Sequence, residues 1–388
     1  MLSRKVKNFF WFVLLSCFFS VAQAQPDVAL IPSPPQIAAK SYVLMDATSG
    51  DIIIENNAHE VLPPASLTKM MTAYIVEYEI ARGNIKATDD VLVSVNAWRT
   101  GGSKMFIKEG TRVPLAELLK GVIIQSGNDA SIALAEHIAG GEGAFADIMN
   151  QHATLLGMKN THFRNATGLP ADDHKTTAFD LAILARAIIR DFPEQYAIYS
   201  EKYFTYNNIR QPNRNLLLWR DKSVDGLKTG HTDEAGYCLV SSAKRDDMRL
   251  ISVVLGTRSE EARAKETQKL LNYGFRYYET HKLYDAGQSL MDAPVWLGTQ
   301  DQVALGAARD VIVTIPRGQK EKLQATLDVE SVIKAPFSAG QEFGRLKVTL
   351  ADQTVVDRPL VALQDVEEGG FFKRLWDLIK LFFINLFS

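Results

Sequence analysis

Apolar and polar positions along the chain predict a protein of mixed helices and strands. Several stretches have the length and apolar content of buried or half-buried helices. These stretches are 67–80, 115–124, 130–139 and 260–278. Short apolar runs at 42–45 and 52–54 flank the turn sequence 48–51 and predict a β-hairpin, and runs at 237–243 and 249–255 flank a second polar turn. Strands at both ends with helices between them predict an α+β fold, an antiparallel sheet flanked by helices.

From about Ala286 the pattern changes to short strands separated by turn residues. These strands are predicted at 311–315, 323–329 and 345–350. The pattern is typical of a small all-β domain, which we place at 286–366. No catalytic motif occurs in it, so the chemistry is expected in the residues before it.

The last residues, 367–388, predict an amphipathic helix. Its polar residues recur near helical spacing, whereas phenylalanine, leucine and tryptophan cover the rest of the surface. The polar residues are Lys373, Arg374, Asp377, Lys380 and Ser388. Because charges interrupt the apolar run, we predict a helix that lies on a membrane surface, with these charges at the headgroups, and does not cross the bilayer. A helix docked on the protein's own core is the alternative.

The first 24 residues have the pattern of a signal peptide. A positively charged start precedes an apolar run at 9–19, which is too short to span a bilayer comfortably. Ala22-Gln23-Ala24 then matches the small-x-small pattern of a cleavage site. We therefore predict an exported protein whose mature chain starts near Gln25. An uncleaved signal anchor is the alternative.

Composition narrows the classes of function. The chain has 388 residues, which is long for one domain, and its net charge of -2 gives no reason to expect a nucleic-acid partner. Removal of the signal peptide leaves Cys238 without a partner for an internal disulfide, and its apolar neighbours predict a buried, inert thiol. The 7 histidines show no metal-binding spacing, so neither a metal nor a cofactor is predicted.

The first motif with chemical content contains Ser66 and Lys69. Positions i and i+3 share a helix face, so the amine is expected beside the hydroxyl at the start of the helix that follows Pro63 and Pro64. A serine becomes a good nucleophile when a base takes its proton. A lysine can be that base when burial or a nearby cation lowers its pKa.

Two further motifs supply groups for the same site. Ser126 and Asn128 lie in a polar break between two predicted helices, and Lys228 begins a Lys-Thr-Gly string beside a strand. Lys228 is the predicted cation beside Lys69. Each motif alone occurs often by chance, but their combination and order predict a site for serine acyl transfer that needs no histidine base.

The three motifs together resemble those of the penicillin-recognising serine acyl-enzymes. The chain is most similar to the low-molecular-mass penicillin-binding proteins that are D-alanyl-D-alanine carboxypeptidases, through the strings at 64–72, 125–130, 213–215 and 225–232. The resemblance implies a β-lactamase/transpeptidase-like catalytic domain at 25–285. It also implies removal of the terminal D-alanine from peptidoglycan stem peptides, inhibition by β-lactam antibiotics, and a role in cell-wall biogenesis and cell shape. The implied location is the periplasmic face of the bacterial inner membrane.

The same resemblance implies catalytic roles for the motif residues. Ser66 would attack the D-Ala-D-Ala carbonyl, with Lys69 as the base. Ser126 would pass a proton to the leaving amine, tuned by Lys228. Asn128 would hold the substrate's peptide amide and the lysine amine in place.

Substrate-binding roles are implied for the strand motif and for Arg214. The backbone N–H groups of Ser66 and His231 would form the oxyanion hole. Arg214 and Thr229, together with the strand that continues through Gly230, would bind the substrate's terminal carboxylate. The alternative for Arg214 is a structural ion pair.

Two other functions share these motifs. A β-lactamase has the same chemistry with fast deacylation, and a catalytically silent peptidoglycan-binding scaffold keeps the fold alone. The β domain, the terminal helix and the lack of a clear additional glutamate base favour the carboxypeptidase. The segment 96–110 looks shorter than in the relatives that the motifs resemble, and we expect this to alter deacylation or substrate access.

Overall fold

The structure, a computed structural model, describes residues 31–387, with side chains up to residue 384. The predicted signal peptide at 1–24 and the terminal Ser388 lie outside the described residues. The strands before residue 278 are β1 (Ser41–Asp46), β2 (Ile52–Asn56), β3 (Asp90–Leu92), β4 (Arg112–Pro114), β5 (Tyr203–Tyr206), β6 (Ile209–Pro212), β7 (Val224–Thr232), β8 (Gly236–Arg245) and β9 (Met248–Thr257). The helices are α1 (Lys69–Ala81), α2 (Val95–Arg99), α3 (Leu115–Lys120), α4 (Asn128–Ala139), α5 (Glu142–Leu156), α6 (Ala178–Asp191), α7 (Leu217–Arg220) and α8 (Glu260–Tyr277).

A five-stranded antiparallel sheet with the order β2-β1-β9-β8-β7 lies between two helical layers. Side chains alternate across a strand, so neighbouring residues of β1 face different layers. Val43 and Met45 belong to the core that contains α1, α4 and α6. Leu44 packs instead with Leu270 and Leu271 of α8. The predicted α+β architecture is therefore confirmed.

Two predicted helices differ from the structure where they approach the first two motifs. The helix predicted from residue 67 begins as a 3₁₀ turn, Ala65–Thr68, and α1 starts at Lys69. The helix predicted at 115–124 ends at Lys120, and a π-helical turn, Gly121–Gln125, continues the chain into Ser126. The first irregular turn contains Ser66 directly before α1, and the second leads into Ser126 before α4.

The rest of the chain forms a small all-β domain followed by a helix, as predicted, but the domain begins with a strand at Tyr278 and not at Ala286, because this strand pairs with one inside the domain. Its strands are β10 (Tyr278–Tyr284), β11 (Ser289–Trp296), β12 (Gln302–Gly306), β13 (Val311–Pro316), β14 (Leu323–Val329), β15 (Ile333–Lys334), β16 (Glu342–Leu350) and β17 (Gln353–Ala362), and the helix is α9 (Phe371–Phe387). Six strands form a sheet with the order β14-β16-β17-β12-β11-β15, and β10 pairs with β13. Their inward-facing side chains form a separate apolar core.

Hydrogen bonds join the β1–β2 turn to the β domain. Thr280 Oγ1 donates to Asp46 Oδ2 at 2.5 Å, and Asp51 Oδ2 accepts the backbone N–H of Thr314 at 2.9 Å. The hydroxyl groups of Ser49 and Thr314 share a hydrogen bond of 2.8 Å. The hairpin predicted at the start of the chain thus contacts the β domain at a seam.

Helix α9 packs on the β domain through part of its polar side. Asp377 is 5% exposed, and its carboxylate accepts the backbone N–H of Leu297 at 2.9 Å. Lys373 pairs with Asp301 of the same turn. Most large apolar side chains of the helix remain exposed: Phe371, Phe372, Leu375, Trp376, Leu378, Ile379, Phe382, Phe383 and Ile384. The expectation that Asp377 lies at lipid headgroups is therefore wrong, because its carboxylate is bound within the protein.

Within residues 31–387, no helix is long and apolar enough to cross a membrane.

Candidate active site

The nucleophile candidate Ser66 lies in the 3₁₀ turn that precedes α1. Two glycines allow other segments to approach this turn closely. At Gly168, where φ is +82°, an added Cβ would lie 1.8 Å from the carbonyl oxygen of Ala65. At Gly230 of β7, an added Cβ would lie 3.3 Å from the Cβ of Ala65. The turn that carries Ser66 is therefore held between the loop that contains Gly168 and β7, the edge strand of the sheet.

The amine of Lys69 lies at the centre of a hydrogen-bond network. Its Nζ donates to Ser66 Oγ at 3.2 Å, to Asn128 Oδ1 at 2.7 Å and to the carbonyl oxygen of Thr167 at 2.5 Å. The residue is only 1% exposed. A charged amine donates to all three acceptors, whereas a neutral amine donates to two and keeps a lone pair that can accept the Ser66 proton.

Burial and, as the second largest cause, the positive charge of Arg214 lower the pKa of Lys69 from 10.5 to about 7. The negative charges of Asp129 and Glu142 oppose that effect. A substantial fraction of the amine is therefore neutral near pH 7, as a general base requires. The sequence assigned the cation beside Lys69 to Lys228. The structure assigns it to Arg214, because Lys228 is itself buried and its own pKa is depressed.

Ser126 lies beside the second lysine. Lys228 Nζ donates to Ser126 Oγ at 2.9 Å and to the carbonyl oxygen of Thr229 at 2.9 Å. Burial lowers the pKa of Lys228 well below its usual value, and the charges of Lys69 and two arginines act in the same direction. Ser126 has a left-handed backbone, with φ of 65°, which ends the π-helical turn before α4 begins.

Asn128, at the start of α4, connects the base to a loop at the rim. Its Oδ1 accepts from Lys69, and its Nδ2 donates to the carbonyl oxygen of Gly101 at 2.7 Å. Its backbone N–H also donates to the carbonyl oxygen of Ser103 at 2.7 Å. The loop fits closely, since a Cβ at Gly102 would lie 2.6 Å from Asn128 Nδ2.

The short segment 96–110 is held further by Asp129. The carboxylate of this buried residue accepts the backbone N–H groups of Met105 at 2.9 Å, Phe106 at 2.8 Å and Ile107 at 3.3 Å. These bonds stabilise Phe106 at a φ of 71°, which is unusual for an aromatic residue. The effect of this short segment on deacylation stays a prediction.

A cavity of about 240 Å³ lies over these groups. The residues that line it are Ser66, Ser103, Ser126, Arg214, Thr229, Gly230, His231, Tyr237, Glu260 and Arg263. Lys69, Asn128 and Lys228 are buried behind its serines. Because β7 is the last strand of its sheet, no further strand in the described part of the chain pairs with its second edge beside this cavity, and an extended peptide can add there as a further strand. The structure thus brings together all the site residues that the motifs and the resemblance indicated.

Two arginines lie at one end of the cavity, and the sequence analysis missed the second. Arg263 is 3% exposed and donates to the carbonyl oxygens of Gly230 at 3.4 Å and Arg214 at 3.5 Å. It lies in the first turn of α8, where the helix dipole disfavours a cation, and this unfavourable position is the signal that points to a function. Glu260 pairs with Arg263 at 3.5 Å. In the described part of the chain, Arg214 has no ion pair within 4.0 Å, which does not favour the structural alternative for it.

The described residues favour neither a metal site nor a reactive cysteine. No group of three or more His, Cys, Asp or Glu side chains placed to hold a metal ion occurs among them. Cys238 is 1% exposed, and burial raises the pKa of its thiol to about 11. The prediction that Cys238 is buried is confirmed, and its raised pKa agrees with the predicted lack of reactivity.

Comparison with known families divides the chain into two matches. The family model described as D-alanyl-D-alanine carboxypeptidase matches residues 28–259. The model for the C-terminal domain of penicillin-binding protein 5 matches residues 278–368.

Individual relatives are similar over most of their length. The chain is 45% identical over 386 residues to the D-alanyl-D-alanine carboxypeptidase DacA of Escherichia coli (strain K12), which covers 97% of this chain and 96% of that protein. Penicillin-binding protein 5 from Haemophilus influenzae is 44% identical and superposes with a TM-score of 0.84, covering 87% of this chain and 100% of that one. Penicillin-binding protein D2 from Listeria monocytogenes, in an ampicillin-bound form, is 31% identical with a TM-score of 0.58, covering 63% of this chain and 100% of that one.

Proposed function

The chain belongs to the D-alanyl-D-alanine carboxypeptidase family, and from this premise we propose that Ser66 is the nucleophile that releases the terminal D-alanine from peptidoglycan stem peptides. Serine carboxypeptidase activity in cell-wall biogenesis follows from the family. One observation supports the residue roles. Lys69 contacts Ser66 Oγ, Lys228 contacts Ser126 Oγ, and both serines line one cavity.

Acylation begins with a proton transfer inside this network. Neutral Lys69 accepts the proton of Ser66 as Oγ attacks the carbonyl carbon of the penultimate D-alanine. The backbone N–H groups of Ser66 and His231 stabilise the oxyanion that forms. When the tetrahedral intermediate collapses, the C–N bond breaks, and Ser126, held by Lys228, relays to the leaving amine the proton that Lys69 took from Ser66, so that Lys69 is neutral again. D-Alanine leaves, and the peptide remains as an ester on Ser66.

Hydrolysis of the ester completes the reaction. A water molecule attacks the acyl carbon, Lys69 accepts a proton from it, and Lys69 returns this proton to Ser66 Oγ as the ester bond breaks. The products are free enzyme and a peptide shortened by one D-alanine. Asn128 holds the amine of Lys69 in place through both half-reactions.

Selectivity for a chain end comes from the cationic end of the cavity. We assign recognition of the terminal carboxylate to Arg214 and the hydroxyl of Thr229, as the resemblance implies. Arg263 joins them because it lies behind Arg214 and lines the same cavity. Guanidinium groups bind carboxylates through two parallel hydrogen bonds.

Acylation by β-lactams at Ser66 is part of the same proposal, because a β-lactam also presents an amide carbonyl and a carboxylate. Support comes from the penicillin-binding relatives, one of which carries ampicillin in its structure.

A paired assay tests the function and separates its alternatives. Fluorescent penicillin and a D-Ala-D-Ala peptide are incubated with the wild type and with Ser66→Ala. Stable labelling and D-alanine release, both lost in Ser66→Ala, are expected. Rapid loss of the label indicates a β-lactamase, and absence of both signals indicates a scaffold. An adduct found by mass spectrometry on Ser126 would overturn the assignment of the nucleophile.

The organisation of the chain in the cell is a further part of the proposal. We propose a signal peptide at 1–24, a catalytic domain from residue 25 to the end of α8, a β domain from β10 to residue 366 and a terminal segment at 367–388. The exported enzyme works on the periplasmic face of the inner membrane. The support is the N-terminal pattern together with the exposed apolar side of α9, which suits a membrane surface.

A further inference from the structure

A second cavity, of about 420 Å³, lies at the seam between the catalytic and β domains. It shares no lining residue with the cavity over the nucleophile. The catalytic domain contributes the turn at 48–49 and Arg186 of α6. The β domain contributes the turn at 307–310 and Arg358 of β17. Both domains must therefore be in place to form this cavity.

The lining is rich in positive charge. Its three basic residues are Arg186, Arg309 and Arg358. Its acidic residue is Asp310, whose carboxylate has its hydrogen-bond and ion-pair partners outside the cavity lining. The carboxylate of Asp310 accepts the backbone N–H of Ala286 at 2.8 Å and pairs with Lys282 at 3.5 Å. The arginines of the lining therefore have little direct compensation within the cavity.

Arg186 is fixed at the wall of the cavity. Its Nε donates to the carbonyl oxygen of Ala47 at 2.8 Å, and its Nη2 donates to that of Thr48 at 2.9 Å. Burial lowers its pKa, and the positive charges of Arg190 and Arg358 act in the same direction. Arg186 and Arg358 are thus close enough to repel each other, and an anion between them would relieve that repulsion.

Nearby carboxylates do not take up this charge through ion pairs. The negative charges of Asp46 and Asp51 raise the pKa of Arg186 through space. Their oxygens, however, accept hydrogen bonds from Thr280 and Thr314 across the seam. Both acids therefore hold the domains together and do not fill the cavity.

The two arginines of the β domain have guanidinium groups available for a ligand. Among the described residues, neither Arg309 nor Arg358 has an ion pair within 4.0 Å. The acid next to Arg358 in the chain, Asp357, pairs instead with Arg345 at 2.6 Å. Planar guanidinium groups that converge on a cavity of this size match carboxylates, which they bind through paired hydrogen bonds.

The position of the cavity distinguishes between two sources of anions. Strand β12 connects the turn at 297–301, which contacts α9, with the turn at 307–310, which lines the cavity. Five residues of extended strand span about 17 Å. The turn that contacts α9 and the turn that lines the cavity thus lie at opposite ends of β12, so the cavity is separated from that contact by the length of the strand. This separation favours a carboxylate-bearing polymer over a lipid surface bound at α9.

We propose that this cavity is a second binding site for peptidoglycan, which holds carboxylate groups of its peptides at a distance from Ser66. The proposal rests on the family's cell-wall function but not on the roles of individual catalytic residues. Such a site would hold the enzyme on polymeric substrate while short peptides are cleaved without it.

The test measures binding to full-length enzyme whose active site has been blocked by penicillin. The ligands are soluble peptidoglycan fragments with free carboxylates and the same fragments after amidation. We expect Arg309→Gln with Arg358→Gln to weaken binding of the free acids about tenfold or more, the effect of one or two charge-assisted hydrogen bonds. The control, Arg82→Gln with Arg276→Gln, removes the same charge from other exposed positions and should bind like the wild type.

Turnover provides a second readout on unblocked enzyme. The cavity variant should have a raised KM for polymeric fragments and an unchanged kcat/KM for a short D-Ala-D-Ala peptide. Equal losses in the cavity and control variants, or equally tight binding of amidated fragments, would overturn the proposal. The proposal would also be overturned if the cavity variant lost binding to anionic lipid vesicles and kept its binding to peptidoglycan fragments. Penicillin labelling of every variant shows separately whether the catalytic proposal holds.

Discussion

The amine of Lys69 is the group whose ionisation controls acylation in our mechanism. Because its pKa is lowered to about 7, the neutral fraction rises as pH increases through that value. The acylation rate with fluorescent penicillin should therefore rise from pH 5.5 and level off above about pH 8. Arg214→Ala removes a charge that lowers this pKa, so its midpoint should move to higher pH. Arg210→Ala, which removes an exposed arginine stacked on Tyr203, is the control and should not move it. A rate that is constant from pH 5.5 to 8.5 would exclude Lys69 as the base.

Arg214 should also distinguish a free acid from an amide. If it binds the terminal carboxylate, Arg214→Ala should lower kcat/KM for a peptide acid by roughly tenfold or more, since a charge-assisted hydrogen bond contributes about 1.5–3 kcal/mol. The same substitution should change turnover of the C-terminally amidated peptide much less. Steady-state D-alanine or D-alaninamide release provides the measurement. Equal losses on both substrates would make Arg214 a structural residue.

Glu77 is a buried acid on α1 that the mechanism does not use. It is 1% exposed, and its carboxylate oxygens have no hydrogen-bond partner among the described residues. Burial raises its pKa to about 8. Since the folded-state pKa is above that of the unfolded chain, the contribution of Glu77 to stability is most favourable below about pH 4.5, falls as pH rises towards 8, and then levels off. The total effect is roughly 3–5 kcal/mol.

Glu77→Gln should remove this pH dependence. The variant should gain stability over the wild type at pH 8 and differ little from it at pH 5, in free energies of unfolding from urea titrations. Glu55→Gln, which changes an exposed glutamate, is the control and should follow the wild type at both values. If the free energies of unfolding of the wild type and Glu77→Gln differ by the same amount at pH 5 and at pH 8, then Glu77 does not change its ionisation between these two values.

At the scale of residues, the proximity of the motif side chains was predictable and the electrostatics of the site was not. Ser66, Lys69 and Lys228 belong to short strings whose residue types and order carry a specific reaction. Arg263 lies in no such string, and its role depends on where α8 starts relative to β7. The influence of Arg214 on Lys69 likewise depends on a distance through space, which no local pattern contains.

The 3₁₀ turn that carries Ser66 depends on the close approach of the loop that contains Gly168. Gly168 and Gly140 both have positive φ, of +82° and +74°, but an added Cβ meets the backbone only at Gly168. Gly140→Ala should therefore cost about 1–2 kcal/mol of stability, the cost of a left-handed alanine, and leave acylation unchanged. Gly168→Ala should cost more and also slow acylation, because it displaces Ala65 beside Ser66. Unfolding curves and penicillin-labelling rates measure the two effects. Equal behaviour of both variants would mean that the turn does not need this contact.

Regular elements were more predictable than the irregular ones. The strands at 237–243 and 249–255 follow from apolar runs that bury both faces of a sheet. The π-helical turn, Gly121–Gln125, and the left-handed Ser126 do not follow from such a pattern, because both depend on how α3 and α4 pack around the site. Local sequence favours an α-helix through 121–125, and tertiary packing converts it to a π-helical turn.

For the whole molecule, the orientation of α9 depends on the β domain. Sequence patterning correctly separated its polar and apolar sides. It did not show which side faces the protein, because the partner of Asp377 is the backbone N–H of Leu297 in a turn 80 residues earlier. The structure combines parts of both predicted alternatives, since the polar side contacts the protein and the apolar side is exposed. Membrane contact itself stays a prediction.

Two sets of substitutions should separate membrane binding from docking of this helix. Trp376→Glu with Phe383→Glu places charge on the exposed apolar side, so binding to anionic vesicles should be lost while the helix stays docked. Asp377→Ala removes the acceptor of the Leu297 N–H, so vesicle binding should persist. Hydrogen exchange at Leu297 should then accelerate, because a buried donor has lost its partner. Vesicle sedimentation and hydrogen exchange measure the two properties independently.

Deletion of the helix shows whether it is an anchor or part of the fold. A chain ending at Gly370 should leave the membrane fraction and still bind penicillin, because the catalytic cavity has no residue from α9. If the shortened protein remains with membranes, the anchor lies elsewhere, most simply in an uncleaved N-terminal segment. If it loses penicillin labelling, the helix supports the catalytic domain. In that case the exposed side chains of Phe372 and Phe382 have to be explained by a protein contact and not by a lipid surface.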